Sequence, residues 1–327
     1  MRTAVYHGGG EVRLEERAAP VPGRGEVLVE MRACGICGSD LMEWYLASRV
    51  PLVLGHEPAG VVVAVGEGAP AAVGERVFVH HHVPCGECEH CRRGHETLCD
   101  TFKATRIEPG GFSELILVPA RNVAVDLLPL PDSVSDEAAT LVEPLACCVR
   151  GLERARVGDG TRLLVIGGGQ MGLLTAQAAV ARGASVTLAE PLQARRELAR
   201  ELGARGVEPR AEQVGTPNVI MLATGAAAAW ELALACADRG AVIQLFAPSG
   251  PGQERSFVVD EVFFKELEIQ ASYSAGPRDT RAALALIESG AVTPEKLITH
   301  RFGLEDTGAA LAMARSREGV KVIVTNA

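Results

Sequence analysis

Hydrophobic and polar positions follow two different patterns along the 327-residue chain. Up to about residue 140, short apolar runs are separated by glycine and proline, as in GEVLVEMRACG, AGVVVAVGEG, GERVFVHHHV and FSELILVPA. Short apolar, β-branched runs between such breakers are typical of strands joined by turns. The first part of the chain is therefore predicted to form a compact, mostly β domain.

From about residue 150, apolar strand candidates alternate with helical stretches. The strand candidates are RLLVIG, SVTLAE, NVIMLAT, AVIQLFA and LEIQASY, and the helical stretches include MGLLTAQAAVARG, LQARRELARELG and AAAAWELALACADRG. This alternation predicts an α/β domain with a parallel, doubly wound sheet. One link, GVEPRAEQVGTP, leaves little room for a crossover helix. After residue 275 the pattern is helix, helix, strand, which either extends this sheet or joins the first domain.

Composition narrows the classes of partner and environment. Hydrophobic residues make up 47 % and charged residues 22 %, as in a soluble globular protein. The net charge of −9 argues against a nucleic-acid partner, because phosphate binding needs a basic surface. No apolar run is long enough for a membrane span, and MRTAVYHGGG lacks the pattern of a signal peptide. We therefore expect a cytoplasmic protein with reduced cysteines and no membrane partner.

Four cysteines follow the spacing C-x2-C-x2-C-x7-C in the run VPCGECEHCRRGHETLC. Four thiolates brought together by tight turns complete the tetrahedral shell of Zn²⁺ and leave no position for a substrate. Disulfides are disfavoured because nine cysteines is an odd number, and an iron–sulfur cluster because its fourth cysteine follows a shorter gap. The spacing predicts a structural zinc bound by Cys85, Cys88, Cys91 and Cys99.

A glycine-rich turn joins the strand RLLVI to an Ala/Leu-rich helix, in the pattern G-x-G-x-x-G. Together with an acidic residue at the end of the next strand, this is typical of a dinucleotide site. The acid favours NAD over NADP, since a carboxylate there would repel a 2′-phosphate. Arg195 weakens that preference, unless its side chain is only part of the solvated face of its helix. The predicted cofactor-binding residues are Gly167, Gly169, Gln170, Met171, Gly172, Glu190 and Arg195.

A second set of possible metal ligands is spread along the chain: Cys37, His56, Glu57 and Glu143. Spread ligands are typical of a catalytic zinc, where the fold assembles three protein groups and leaves one position open. Three consecutive histidines, His80–His82, precede the cysteine loop. Strand alternation would turn the first and third to one face and the second to the other, so one of them is a candidate for a pocket wall.

Taken in order, these segments resemble the zinc-dependent medium-chain dehydrogenases, which include alcohol, polyol and threonine dehydrogenases. The resemblance rests on CGICGSD, LGHEPAGVV, VGERVFV, the four-cysteine loop, VEPLA, GGGQMG and LITHRFGLEDTGAAL, and covers essentially the whole chain. It implies a GroES-like catalytic domain over residues 1–147 and 276–327, with a structural-zinc lobe at about 85–99. A Rossmann NAD-binding domain over residues 148–275 would be inserted between them.

The resemblance also implies roles for individual residues. Cys37 and His56 would hold the catalytic zinc, with Glu143 favoured as third ligand and Glu57 in exchange with it or beside the site. Ser39 matches the hydroxyl that starts proton removal from the alcohol. The predicted catalytic residues are thus Ser39, Cys37, His56 and Glu57.

One position departs from the family pattern. Many relatives carry a relay histidine three residues after the serine, where this chain has Met42, and a thioether cannot carry a proton. The relay must end differently, either at ribose hydroxyls and water or through Glu57. Met42, Trp44 and Tyr45 would line a substrate pocket or simply pack.

The sequence therefore predicts an oxidoreductase with two zinc ions per chain that transfers hydride between NAD and a small-molecule secondary alcohol. A polyol, sugar or hydroxy amino acid is the expected substrate class, and the family implies a homodimer or homotetramer. Two alternatives stay open. One is a zinc-independent enone or quinone reductase of the same fold, and the other is a non-catalytic dinucleotide-binding protein.

Overall fold

A computed structural model describes residues 1–326, whose contacts divide into two compact units. The first unit contains Met1–Pro144, Ala275–Glu288 and the residues from Thr293 onward. The second contains Leu145–Ser274 and Ser289–Val292. The chain thus leaves the first unit after Pro144 and returns to it at Ala275.

The N-terminal segment is built from short strands linked by turns and short helices. Its strands are β1 (Arg2–Gly8), β2 (Glu11–Glu16), β3 (Val27–Gly35), β4 (Leu52–Val53), β5 (Glu57–Val65), β6 (Arg76–Val79), β7 (Leu115–Val118) and β8 (Leu127–Pro129). Its helices are α1 (Glu43–Leu46), α2 (Glu89–Arg92), α3 (Asp100–Ala104), α4 (Ala120–Asp126) and α5 (Asp136–Ala139). The four segments predicted as strands overlap β3, β5, β6 and β7, so the mostly β prediction is confirmed.

The second unit alternates helices and strands. Its elements are α6 (Val142–Arg154, which begins in the first unit), β9 (Arg162–Ile166), α7 (Gln170–Ala181), β10 (Ser185–Ala189), α8 (Gln193–Glu201), β11 (Arg205–Val207), α9 (Ala211–Val214), β12 (Val219–Leu222), α10 (Ala227–Cys236), β13 (Val242–Leu245), α11 (Val259–Phe264) and β14 (Glu268–Ala271). The strands are parallel, in the order β11-β10-β9-β12-β13-β14. This is the doubly wound order of dinucleotide-binding domains, as predicted.

Apolar strand residues explain why this sheet is covered on both faces. Leu164, Ile220 and Ile243 are completely buried, and all belong to one hydrophobic cluster. A strand buried on both faces needs the near-continuous apolar runs seen in the sequence. The short link between β11 and β12 holds only the four-residue helix α9, in agreement with the little room that its sequence leaves.

The C-terminal tail completes the sheet of the first unit. It contains α12 (Pro277–Glu288), β15 (Ile298–Gly303), α13 (Thr307–Ser316) and β16 (Lys321–Thr325). Strand β16 pairs antiparallel with β3 and parallel with β15, giving the order β15-β16-β3-β5-β6-β8, with β7 also paired to β3. Of the two places that the pattern left open for the tail, it takes the one in the first domain.

A second, three-stranded sheet in the first unit has the order β2-β1-β4. The core of this unit includes Val29, Met31 and Val62, all completely buried. Within residues 1–326, none of the helices is long and apolar enough to cross a lipid bilayer.

Candidate functional site

Three of the predicted metal ligands meet where β3 ends and β5 begins. Cys37 follows β3, His56 directly precedes β5, and Glu57 is the first residue of β5. The two strands pair antiparallel, with Gly35 opposite Glu57, so the sheet itself brings these positions together. The Cys thiolate, a His ring nitrogen and a Glu carboxylate oxygen all lie within 4.8 Å of one another. Thiolate, imidazole and carboxylate are the ligands that zinc prefers in proteins.

Asp40 positions two of these ligands. One of its carboxylate oxygens accepts the Cys37 backbone N–H at 3.0 Å, and the other lies 3.4 Å from His56 Nδ1. Carboxylates that contact the remote nitrogen of a ligating histidine fix its ring orientation and raise its basicity. Asp40 was not among the residues predicted from the sequence, although it stands in the motif CGICGSD. Its signal was an acidic residue three positions after a candidate metal ligand.

The same charges control the protonation of His56 before metal is bound. Burial opposes a charged ring, but the negative charges of Asp40 and Cys37 outweigh it and raise the pKa of His56 well above 6.5. Metal binding requires the neutral ring. A cation entering this set must therefore displace a proton from His56.

Glu57 forms a fully buried ion pair with Lys321, the first residue of β16. The Lys321 ammonium donates to Glu57 Oε2 and to the Ile36 carbonyl, the latter at 3.1 Å. Burial raises the pKa of Glu57 above 4.5, although the charges of Lys321 and His56 act in the opposite direction. The second oxygen, Oε1, is buried and has no hydrogen-bond partner among residues 1–326. An orphaned carboxylate oxygen beside a thiolate and an imidazole fits a bound cation.

Glu143 lies outside this set of three ligand atoms. Its side chain is 5 % exposed at the start of α6, and its negative charge helps to raise the pKa of Glu57. The structure thus brings together Cys37, His56 and Glu57, and places Glu143 close enough for its charge to act on Glu57.

Replacing Lys321 by methionine is expected to lower the free energy of unfolding by about 3–5 kcal/mol, since it leaves a buried charge without its partner. The pKa of Glu57 already exceeds 4.5, and loss of the ammonium raises it further. At low pH Glu57 is protonated, and an uncharged carboxyl can be buried without the ammonium. The destabilisation should therefore grow as the pH rises above 4.5. Denaturant unfolding at a series of pH values measures this.

Two further variants control for the Lys321 result. Lys321→Arg keeps the positive charge and should remain close to wild type in its pH dependence. The double variant Glu57→Gln/Lys321→Met removes the orphaned charge and should recover part of the lost stability. If Lys321→Met were as stable as wild type at every pH, the ion pair would be unimportant.

Ser39 lies next to His56, in the 3₁₀ turn Gly38–Leu41. Its Oγ is 3.5 Å from His56 Nε2, and its side chain is partly exposed. Met42 ends the same turn, and its backbone N–H donates to the Ser39 carbonyl. Trp44 and Tyr45 follow in α1 with exposures of 51 % and 41 %. These two rings are therefore accessible and not core residues.

The three consecutive histidines after β6 differ in their surroundings. His80 is completely buried, and its Nδ1 is 2.7 Å from Asp126 Oδ2. His82 Nδ1 contacts the carbonyl of Thr105, and burial lowers the pKa of this ring to about 4. The ring of His81 packs against that of His56, with 4.8 Å between centroids. Burial and the neighbouring histidines lower the pKa of His81 well below 6.5, so its ring is uncharged at neutral pH.

The four cysteines of the loop converge around α2. Their thiol sulfurs all lie within 4.8 Å of one another, and Cys88 and Cys91 are 3.5 Å apart. Burial opposes ionisation of Cys99, but backbone N–H groups of Cys85 and Phe102 lower its pKa to about 6. Burial and the adjacent thiols instead raise the pKa of Cys91. Four thiols this close together can all ionise only beside a cation, and a tetrahedral zinc fits them.

The glycine-rich turn between β9 and α7 has the geometry of a phosphate-binding loop. Gly167 has φ +106°, a conformation that disfavours side chains, and a Cβ at Gly172 would lie 1.8 Å from the Gly167 carbonyl oxygen. At Gly169, the N-cap of α7, a Cβ would meet no atom within 4 Å, so a ligand can approach the backbone there. Gln170 and Met171 form the partly exposed first turn of this 12-residue helix. Its N-terminus favours phosphate.

Glu190, at the end of β10, faces this turn. One carboxylate oxygen accepts the Gly168 N–H at 2.6 Å and the other accepts the Leu192 N–H at 3.1 Å. These bonds fix the carboxylate beside the loop, where a ribose would lie. Arg196 donates to the carbonyls of Glu190 and Pro191, whereas Arg195 is a partly exposed residue of α8.

Comparisons with known proteins place the chain among the zinc-binding dehydrogenases. The family described as alcohol dehydrogenase GroES-like domain matches residues 23–132, and the family described as zinc-binding dehydrogenase matches residues 171–289. A sorbitol dehydrogenase of Bombyx mori is 31 % identical over 98 % of this chain and 97 % of its own length. Among solved structures, a putative zinc-binding dehydrogenase of Sinorhizobium meliloti bound to NADP has a TM-score of 0.89, at 28 % identity over 99 % of this chain and 98 % of its own. An Escherichia coli alcohol dehydrogenase complexed with NADH has a TM-score of 0.88, at 29 % identity over 99 % of each chain.

Proposed function

Since the chain belongs to the zinc-dependent medium-chain dehydrogenase family, we propose that it oxidises a secondary hydroxyl of a polyol, sugar or hydroxy amino acid. Membership makes it an oxidoreductase that acts on a small-molecule alcohol, with zinc and NAD as cofactors. The proposal adds the substrate class and the residues that carry the reaction. The observation that carries it is the convergence of Cys37, His56 and Glu57 on one point.

In this proposal Cys37, His56 and Glu57 hold the catalytic zinc, which leaves a fourth position open for water or substrate. Support for Glu57 comes from its orphaned Oε1, while Lys321 occupies its other oxygen. This reverses the preference between the two carboxylates that the sequence motifs suggest. Glu143 is then a nearby acid that can exchange with Glu57, and not a permanent ligand.

The chain's own residues are proposed to handle the proton of the substrate. When bound, zinc supplies a Lewis acid that lowers the pKa of the substrate hydroxyl. Ser39, whose Oγ lies 3.5 Å from His56 Nε2, accepts a hydrogen bond from the substrate hydroxyl and gives up its own hydroxyl proton as it takes the substrate's. Because Ser39 is partly exposed and Glu57 is engaged by Lys321, the proton passes from Ser39 to water and not through Glu57. Met42 takes no part in this transfer.

NAD is proposed to bind on the loop between β9 and α7, with hydride as the group transferred to it. Its pyrophosphate would lie at the N-terminus of α7, and Glu190 would accept hydrogen bonds from the adenosine ribose hydroxyls. The fixed, 5 % exposed carboxylate of Glu190 would repel a 2′-phosphate, which favours NAD over NADP. The proposed contact residues are Gly167, Gly169, Gln170, Met171, Gly172, Glu190 and Arg195.

A second zinc is proposed at Cys85, Cys88, Cys91 and Cys99, where it is structural because no position stays open. The first compact unit is proposed as the catalytic domain and the second as the NAD-binding domain. The change of unit after Pro144 and the return at Ala275 support the predicted domain limits of 147 and 276.

A homodimer or homotetramer is proposed from an apolar surface of the second unit. Phe257, Val258, Val259, Phe263 and Phe264 in and around α11 are 45–76 % exposed. The neighbouring strand β14 is the last strand of its sheet, so one of its edges is unpaired. A contiguous apolar surface of this kind is typical of a protein interface. Sedimentation at the mass of one 34.4 kDa chain would contradict this part of the proposal.

The proposed function is tested by a screen of alcohols and polyols with NAD⁺, following NADH formation on protein of known zinc content. We expect two zinc ions per chain and turnover of secondary alcohols. A zinc-independent enone or quinone reductase would instead contain at most the structural ion and consume reduced cofactor with enones. Absence of turnover with every alcohol on protein that holds two zinc ions would overturn the proposed function.

A further inference from the structure

His81 is the one residue of the histidine triplet that contacts the candidate catalytic centre. Its ring lies against that of His56, with centroids 4.8 Å apart and an angle of 55° between the ring planes. His56 in turn lies 3.5 Å from Ser39. His81 and Ser39 therefore both adjoin the same proposed zinc ligand.

The other two histidines are held by the fold. His80 is completely buried against Asp126, which also accepts the Thr280 hydroxyl at 2.7 Å. His82 contacts the Thr105 carbonyl and packs on Phe102 with 5.3 Å between ring centroids. The Nδ1 atom of each of these two rings is thus used in a stabilising contact. The ring of His81 instead has a hydrogen bond to the His56 backbone, and within residues 1–326 its Nδ1 has no partner.

Nδ1 of His81 is buried and has no hydrogen-bond partner in the part of the chain that the structure describes, although the side chain as a whole is partly exposed. Leaving a buried polar atom unpaired is unfavourable, because the atom loses its hydrogen bond to water. In a binding site, a ligand group that pairs with such an atom recovers this free energy. The contact of this ring with His56 therefore points to a polar group of the substrate.

We propose that His81 is a substrate-binding residue that hydrogen-bonds a second hydroxyl, on the carbon next to the one oxidised. Since the ring donates to the His56 backbone, Nδ1 of the neutral imidazole is the acceptor, and a substrate hydroxyl can donate to it. This inference rests on the proposed function and narrows its substrate class to vicinal polyols. His81 then determines specificity, while Ser39 and the metal ligands act at the reacting hydroxyl.

The test compares 2,3-butanediol with 2-butanol, which differ only by the second hydroxyl. Wild type should have the higher kcat/KM with the diol. His81→Phe keeps a ring but removes both nitrogens, and should lower the ratio of the two kcat/KM values by about tenfold, the effect of one hydrogen bond of about 1.4 kcal/mol. The ratio does not depend on how much of the variant is folded, because both substrates meet the same preparation.

Two further variants are compared with His81→Phe. His81→Asn restores a polar atom near the position of Nδ1 and should recover part of the ratio. His7→Phe makes the same chemical change on β1, where His7 contacts Glu15, and should leave the ratio unchanged. Turnover by wild type of neither alcohol, nor of any other alcohol in the screen, would remove the proposed function and this inference together. Turnover of other alcohols but of no vicinal diol would overturn the inference alone. Turnover of both by wild type, with an unchanged ratio in His81→Phe, would overturn the inference alone.

Discussion

Replacing Cys37 by serine is expected to lower kcat/KM by about 10³-fold or more and the zinc content from two ions per chain to one. The thiolate supplies a negative charge and one of three proposed ligands, and a hydroxyl is a poor substitute for it. Lewis-acid stabilisation by a catalytic metal is worth several kcal/mol, and each 1.36 kcal/mol is a factor of about ten in rate. Steady-state kinetics together with metal analysis measure both effects.

Cys34 provides the matched control for this substitution. It lies three residues earlier, in β3, and is completely buried. It belongs to neither of the two groups of possible metal ligands found in residues 1–326. Burial raises the pKa of its thiol, so it is protonated and inert. Cys34→Ala should keep two zinc ions and near-normal kcat/KM, with some loss of stability. Full turnover by Cys37→Ser with two bound ions would exclude Cys37 as a catalytic ligand.

Replacing Cys88 by serine is expected to destabilise the protein by more than about 5 kcal/mol, whereas the activity of the remaining folded protein changes only a few-fold. Zinc binding by cysteine and histidine sites contributes about 10–16 kcal/mol in small zinc domains, and the lobe contains only short helices around its four sulfurs. Thermal unfolding, with proteolysis between residues 85 and 99, measures the loss.

Cys236 is the control for the Cys88 experiment. It is buried in α10 of the second unit, where it packs in the hydrophobic cluster of the sheet. Cys236→Ala should retain both zinc ions and lose only the stability of a small core truncation. If Cys88→Ser unfolded at the wild-type temperature with one zinc fewer, the four-cysteine site would not be structural. A large loss of kcat/KM in its folded fraction would mean that the lobe contributes to catalysis.

Features encoded in neighbouring residues could be predicted from the sequence. The strand, glycine turn and helix around Gly167 are consecutive, so a local pattern was sufficient to predict this unit, and the alternation of such units predicted the doubly wound sheet. The convergence of the four cysteines follows from tight turns within one short loop. In each case, the structure is determined by backbone geometry over a few residues.

Features that depend on pairing between distant segments could not be predicted in the same way. Periodicity indicated a strand at the end of the tail, but only the structure shows that β16 pairs with β3. The ion pair of Glu57 with Lys321 joins residues 264 positions apart. A lone lysine in the apolar run GVKVIV was the available signal, because a charge buried in a strand requires a partner.

The position of Lys321 also affects the order in which the protein can mature. A ribosome releases Cys37, His56 and Glu57 long before it releases β16, so the nascent chain exposes all three ligands while the cation that neutralises Glu57 does not yet exist. Before β16 is made, Glu57 can be buried only if its carboxylate is protonated or is paired with another cation. Native burial of this centre is therefore a late event in biosynthesis, completed only when translation has passed through β16.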